Sequence, residues 1–133
     1  MTRHNIRSLL DLEVAELVQF LYDRLVEEVP EGAKTEEDIE KIEKALGRLA
    51  NHFAFVMEML ALARHLAKVY KREGDKERTD DMMSKRDALE DLGSVIKLQW
   101  QAVSRMLTAR EQRREENDLH EYRKERTGKW GSS

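Results

Sequence analysis

Residues 35–71, TEEDIEKIEKALGRLANHFAFVMEMLALARHLAKVYK, give the clearest structural signal in the chain. Thr35 is a good N-cap, and Asp38 follows it at the spacing of a capping box. Apolar residues then recur three and four positions apart, with a mean period near 3.5: Ile39, Ile42, Leu46, Leu49, Phe53, Val56, Leu60, Ala63, Ala67 and Tyr70. Because this period keeps one stripe facing a neighbouring helix, it predicts a long helix with coiled-coil packing, roughly 55 Å in length.

A shorter helix is predicted before this segment. It begins at Ser8 or Asp11, since both residues are good N-caps. It ends at Val29, because Pro30 disfavours helical geometry in the residue before it. Its apolar stripe, spaced by three and four, consists of Leu10, Val14, Leu17, Leu21 and Leu25.

A third helix is predicted after a turn within residues 71–79. Gly74 suits the position after a helix, where the backbone is commonly left-handed, and Asp75 or Thr79 suits the N-cap position of the next helix. The helix then continues to at least Arg110, with an apolar stripe of Leu89, Leu92, Ile96, Trp100, Val103, Met106 and Leu107. Gly93 costs a helix ~1 kcal/mol relative to alanine, and a close approach of two helices would explain it.

The second and third helices have similar lengths and a short connection, so they predict a long antiparallel hairpin. The first helix packs on this hairpin, and the predicted fold is an all-α helical bundle with a coiled-coil-like hairpin. Residues 1–112 are assigned to the bundle domain. In residues 113–133 the apolar pattern stops, which predicts a charged helical extension and, from Gly128, a disordered C-terminal tail.

The composition narrows the class of protein. With 133 residues the chain is long enough for one domain, and 38% of them are charged. The absence of cysteine excludes disulfides, thiolate metal sites and cysteine nucleophiles. No apolar run approaches ~18 residues and no apolar leader segment opens the chain, so we expect a cytoplasmic protein without membrane association.

The charge is unevenly distributed along the chain. Residues 11–43 contain twelve acidic and three basic side chains, a net charge of −9, and the total of −3 therefore leaves +6 for the other residues. Such asymmetry is typical of internal pairing between helices, of head-to-tail association or of a charged partner. The sequence leaves these three explanations open.

The short first helix covers only part of a hairpin of this length. We therefore expect part of the apolar seam to be covered by another chain, with exposed residues at Ile39, Ile42, Leu46, Leu49 and Phe53. The simplest arrangement is a homo-oligomer, most simply a twofold dimer. The alternative is a groove that binds a helix of another protein.

Two acidic clusters have the same spacing. Glu27-Glu28 with Glu31, and Glu36-Glu37 with Glu40, both spell Glu-Glu-x-x-Glu. This stretch of about 25 residues resembles the all-α nucleotide pyrophosphohydrolases of the MazG type. In that family the motif and a downstream Glu-x-x-Asp hold Mg²⁺ against a triphosphate, so the resemblance implies a Mg²⁺-dependent nucleotide hydrolase.

The match to this family is incomplete. Ala45 and Arg48 stand where the second motif requires Glu and Asp, and Pro30 interrupts the first. The simpler interpretation of the acidic residues is a solvated helix end. They also form a candidate surface for a protein partner, made up of Glu27, Glu28, Glu36, Glu37 and Glu40.

A basic cluster suggests a further alternative. Arg105, Arg110, Arg113 and Arg114 are interrupted by one acidic residue, Glu111, and could contact nucleic-acid phosphates. We predict no catalytic residues, metal site or cofactor, because the four histidines have no suitable partners and no phosphate-binding glycine pattern occurs. The predicted function is that of a non-enzymatic oligomeric scaffold, adaptor or regulator that binds another protein, of a kind frequent in phage and mobile-element genomes.

Overall fold

A computed structural model of the chain describes residues 3–28 and 31–131, and the side chains of residues 6–28 and 31–124. All regular structure in these ranges is helical: α1 (Arg3–Leu10), α2 (Val14–Leu25), α3 (Glu36–Arg72) and α4 (Lys76–Gly131). The prediction of an all-α helical bundle is confirmed. The largest interface joins α3 and α4, which form the predicted long antiparallel hairpin.

The start of α3 has the predicted capping box. The amide of Asp38 donates to Thr35 Oγ1 at 3.1 Å, and the amide of Thr35 donates to Asp38 Oδ2 at 3.2 Å. Desolvation acts against the ionised Asp38 carboxylate, but hydrogen bonds from the amides of Thr35 and Lys34 outweigh it and lower the pKa of Asp38. Two backbone donors that the first turn leaves unpaired are thus satisfied by side chains.

The turn between α3 and α4 also follows the sequence prediction. Gly74 has a φ of 75°, a left-handed conformation that glycine adopts without strain. The amide of Asp75 donates to Tyr70 O at 2.9 Å and that of Gly74 to Lys71 O at 3.2 Å, the two bonds of a Schellman motif. Asp75 Oδ1 then accepts from the amide of Arg78 at 3.1 Å, which makes Asp75 the N-cap of α4.

The N-terminal segment differs from the prediction, because one expected helix is two. The amides of Asp11 and Leu12 donate to the carbonyls three residues earlier, at 3.2 and 3.1 Å, and Glu13 is extended with a ψ of 150°. The chain therefore bends between α1 and α2. The helix also ends at Leu25 rather than at Val29, which lies outside the described residues.

A buried lysine explains why the helix breaks at this point. Lys85 of α4 has only 2% of its surface exposed, and its Nζ donates to Leu10 O at 2.6 Å and to Asp81 Oδ2 at 2.7 Å. The ammonium group thus satisfies a carbonyl at the end of α1, where the helix dipole favours positive charge. Without the break, that carbonyl would be occupied by an amide four residues later.

The helices α1 and α2 cover one side of the hairpin along about half of its length. Near the α3–α4 turn, Arg7 Nη2 donates to the Tyr70 hydroxyl at 3.2 Å. At the other end of α2, His52 Nδ1 lies 3.1 Å from Leu25 O. We call the covered part, residues 48–72 of α3 with 76–99 of α4, the turn half. The remainder, residues 36–47 with 100–110, is the open half, where α3 and α4 pack without α2.

The helix α4 continues well beyond the start of α3. Arg110 Nη2 donates to Glu36 Oε1 at 3.0 Å, and every described side chain from residue 111 to residue 124 is exposed. The helical backbone extends to Gly131, past the expected start of a disordered tail, and Ser132 and Ser133 lie outside the described residues. The 56 residues of α4 measure roughly 84 Å, of which about 30 Å follow Arg110.

Candidate protein-binding surfaces

The structure divides the apolar seam into buried and half-buried residues. Ile42 and Leu49 have no exposed surface, because α4 covers them within a single chain. Ile39, Leu46 and Phe53 are half-buried. The burial of Ile42 and Leu49 needs no second chain, so within this seam only Ile39, Leu46 and Phe53 offer apolar surface to a partner.

Glu27 is part of a polar anchor at the end of α2. Its carboxylate accepts from Arg48 Nε at 2.8 Å and from Nη2 at 3.3 Å, and this paired carboxylate raises the pKa of Arg48. The Glu27 backbone pairs with the Gln99 side chain, whose Nε2 donates to Glu27 O at 2.8 Å. With 17% of its side chain exposed, Glu27 joins α2 to both helices of the hairpin rather than facing a partner.

The other predicted acidic residues lie on the surface. Glu28 is exposed, and the remaining three make ion pairs within the chain: Glu36 with Arg110 at 3.0 Å, Glu37 with Lys41 at 3.5 Å and Glu40 with Lys44 at 3.0 Å. These pairs leave 90%, 79% and 67% of the three glutamate side chains exposed. Such exposed pairs stabilise a helix little, so the carboxylates stay accessible to a partner.

The carboxylates do not converge as the MazG resemblance implies. Arg48, which stands where that family has an acidic ligand, binds the Glu27 carboxylate instead. In the part of the chain that the structure describes, no group of three or more His, Asp or Glu side chains could hold a metal ion. The nucleotide-hydrolase interpretation therefore gains no support from the geometry.

The predicted basic surface is dispersed in the structure. Arg105, Arg113 and Arg114 are exposed, but Arg110 is half-buried and paired with Glu36. From residue 111 to residue 124, four basic side chains alternate with five acidic ones. The described extension therefore carries nearly balanced charge, with a net of −1 over these residues.

A more continuous surface lies on the side of the hairpin that faces away from α2. His52 contacts the end of α2, and Ala50, two residues earlier, is turned about 200° around the helix axis and is exposed. We call this side the open face. Its apolar and small residues are Ile39, Leu46, Ala50, Phe53, Ala54 and Met57 of α3 and Gly93, Trp100 and Leu107 of α4.

Two residues of α4 give the open face its shape. A Cβ atom at Gly93 would lie 2.8 Å from Met57 Cε, so this glycine allows the close approach that the sequence suggested. Trp100 follows seven residues later, level with Ala50, and 42% of its surface is exposed. Tryptophan is among the residues that are enriched in protein interfaces.

The two ends of the open face have opposite charge. At the turn, a groove between the two helices is lined by Arg64, Ala67, Lys68, Lys71, Thr79, Met83, Arg86 and Glu90. Arg64 Nη2 contacts Glu90 at 2.7 Å, and more than half of the Arg64 side chain remains exposed. At the other end, Glu36, Glu40 and Glu43 are exposed. Sequence analysis missed the basic groove because its residues come from two segments that only the hairpin brings together.

The fold thus defines a class, all-α helical bundles with an extended hairpin. Comparison with known proteins finds no matching family model, no matching curated protein and no matching solved structure. Within the described residues, no helix is both long and apolar enough to cross a membrane.

Proposed function

We propose that this protein is a non-enzymatic helical scaffold or adaptor whose open face binds another polypeptide. The observation that carries the proposal is the exposed Trp100 beside half-buried Leu46, Phe53 and Met57 on one continuous face. Contact of these apolar side chains with water is unfavourable. A complex in which a partner covered them would be stabilised by roughly 25 cal/mol for each Å² of apolar surface buried.

The shape of the open face favours a helical partner. From Ile39 to Lys71 it extends along 33 residues of α3, or roughly 50 Å, which is far longer than a small molecule requires. On the open face itself, Leu46, Ala50, Phe53 and Met57 follow one another at spacings of four, three and four, which is the spacing at which a further helix packs in a coiled coil. A partner helix along this face would cover the side of the hairpin that faces away from α2, as a neighbouring helix does in a helical bundle.

The proposal is tested by photo-crosslinking in the cells that express the gene. A photoreactive amino acid replaces Ala54, which is exposed on the open face, or Ala102, which is exposed on the other side of α4. We expect covalent adducts with a defined polypeptide at position 54, identified by mass spectrometry, and few at position 102. Equal labelling at both positions, or none at position 54, would contradict the proposed function.

A further inference from the structure

We propose that the open face is occupied by a second copy of the chain, packed antiparallel about a twofold axis that passes beside Ala54. This inference rests on the proposed function, since it names the polypeptide that the open face binds. It goes further by fixing the direction and register of that partner.

The first argument is the order of residues along α3. Residues seven apart lie on nearly the same line of a helix that packs in a coiled coil. One such series consists of Glu36, Glu43, Ala50, Met57, Arg64 and Lys71. The neighbouring series consists of Glu40, Gly47, Ala54, Ala61 and Lys68. Both series begin with acidic residues, have small or apolar residues in the middle and end with basic residues.

The second argument is that both series complement themselves when one copy is reversed. In the first series, each residue of one copy lies opposite the residue of the reversed copy whose number, added to its own, gives 107. Glu36 faces Lys71, Glu43 faces Arg64 and Ala50 faces Met57. In the second series, the two numbers add up to 108: Glu40 faces Lys68, Gly47 faces Ala61 and Ala54 faces its own copy. The registers given by the sums 107 and 108 differ by one residue, or about 1.5 Å, so a single twofold axis satisfies both series.

The third argument is that these side chains are accessible in the single chain. Apart from half-buried Met57, every member of the two series is exposed. A Cβ atom at Gly47 would find no heavy atom within 4 Å, so a second helix has room to approach there. The large Met57 side chain lies opposite small Ala50 of the reversed copy, which fills the space that alanine leaves.

The helix α4 adds apolar surface at the centre of the same interface. Met57 lies against Gly93, so Trp100, seven residues later, is level with Ala50. In the antiparallel dimer this places Trp100 near the axis, between the two charged ends. A parallel dimer would instead set Glu36 against Glu36 and Lys71 against Lys71, which like-charge repulsion disfavours.

Single cysteines test the direction, because the natural chain contains none. We expect Ala54→Cys to form a disulfide-linked dimer under mild oxidation. Ala50→Cys should not, since its two copies would be offset by about seven residues, or 11 Å, beyond the reach of a disulfide. Ala102→Cys, exposed on the other side of α4, is the matched control. Equal cross-linking of Ala50→Cys and Ala54→Cys would show a parallel arrangement and overturn the proposal.

Charge reversal tests the register. The first variant carries Glu40→Lys with Glu43→Lys, and the second carries Arg64→Glu with Lys68→Glu. Each variant alone should dimerise at least tenfold more weakly at low ionic strength, because like charges then meet at both ends. An equimolar mixture should recover the original affinity as a heterodimer, since every reversed residue meets its complement. Circular dichroism melting checks that both variants fold.

Light scattering decides between the inference and the proposed function. The expected species has twice the chain mass of 15.6 kDa, with Trp100→Glu shifting it to the monomer. A mixture of the two charge variants that stays monomeric overturns the antiparallel dimer. If the protein is a monomer at all concentrations and photo-crosslinking at position 54 still gives an adduct with a different protein, the antiparallel dimer is overturned and the proposed function is supported. A monomer with no adduct contradicts both.

Discussion

The turn half and the open half of the hairpin have the same sequence periodicity but different surroundings. In the turn half, α1 and α2 lie on the hairpin, and Leu60 has 4% of its surface exposed. In the open half, Leu46 occupies the same place in the heptad and remains half-buried. The direction that a residue faces matters as well, since Ile42 of the open half has no exposed surface while Phe53 of the turn half is half-buried. The comparison shows that a residue's position across the apolar seam decides its burial more than the half of the hairpin in which it lies.

The largest expected effect comes from emptying the core of the turn half. Leu21→Ala removes a side chain with 1% exposure from the interface of α2 with the hairpin and should lower the free energy of unfolding by about 2–5 kcal/mol. Leu46→Ala in the open half should cost about 1 kcal/mol, since the side chain is only half-buried. Urea denaturation of both variants at one low protein concentration measures the contrast. Equal losses would mean that the two halves are buried alike.

A smaller effect is expected at the buried lysine of the turn half. Lys85→Ala leaves Leu10 O without its 2.6 Å donor and opens space beside α4, so it should cost about 1–3 kcal/mol. Lys97→Ala, on the exposed surface of the same helix, is the control and should change stability by less than about 0.5 kcal/mol. Thermal unfolding separates the two variants, and similar melting temperatures would refute the capping role of Lys85.

The cap at the open end of α3 is expected to contribute less. Thr35→Ala removes the acceptor of the Asp38 amide and should cost about 1 kcal/mol in urea denaturation. Thr108→Ala, whose hydroxyl donates to Ser104 O within α4, controls for loss of a threonine and should cost less.

The same cap should depend on pH. The pKa of Asp38 is lowered in the folded state, so its stabilisation is fully present above the ordinary value of 3.8 and is lost as the pH falls through the lowered pKa. The stability difference between the natural chain and Asp38→Asn should therefore shrink in acid. A difference that stayed constant from pH 7 to pH 2 would show that the charge of Asp38 has no part in the cap.

The smallest effect is expected in the extension. Leu119 and Tyr122 are 49% and 57% exposed, so alanine at either position should change the free energy of unfolding by less than about 0.5 kcal/mol. Urea denaturation of the double variant is the measurement. A loss above about 1 kcal/mol would show that these residues are covered in solution.

Sequence reasoning succeeded where the signals are local. The capping box at Thr35 and the left-handed Gly74 involve residues within five positions of each other, and both are confirmed. It failed at the break after Leu10, because the group that ends α1 is Lys85, 75 residues away in sequence. No spacing along the chain could indicate that hydrogen bond.

The candidate surfaces also combine local features, which the sequence predicts, with contacts between distant residues, which it does not predict. Periodicity identified the seam but not its exposure, because α4 buries Ile42 and Leu49 completely while Ile39, Leu46 and Phe53 remain half-buried. Glu27 was misassigned to a partner surface, because its carboxylate pairs with Arg48 across 21 residues and the sequence alone does not order such long-range pairs. The basic groove was not foreseen, as Arg64 and Arg86 become neighbours only through the hairpin.

The length of α4 has a consequence for how the protein moves through a solvent. About 30 Å of helix beyond Arg110 adds little mass but much frictional drag. The monomer should therefore diffuse more slowly, and leave a gel-filtration column earlier, than a spherical protein of 15.6 kDa. Early elution by itself is thus what one elongated chain would produce, and truncation after Arg110 should delay elution by more than the lost mass accounts for.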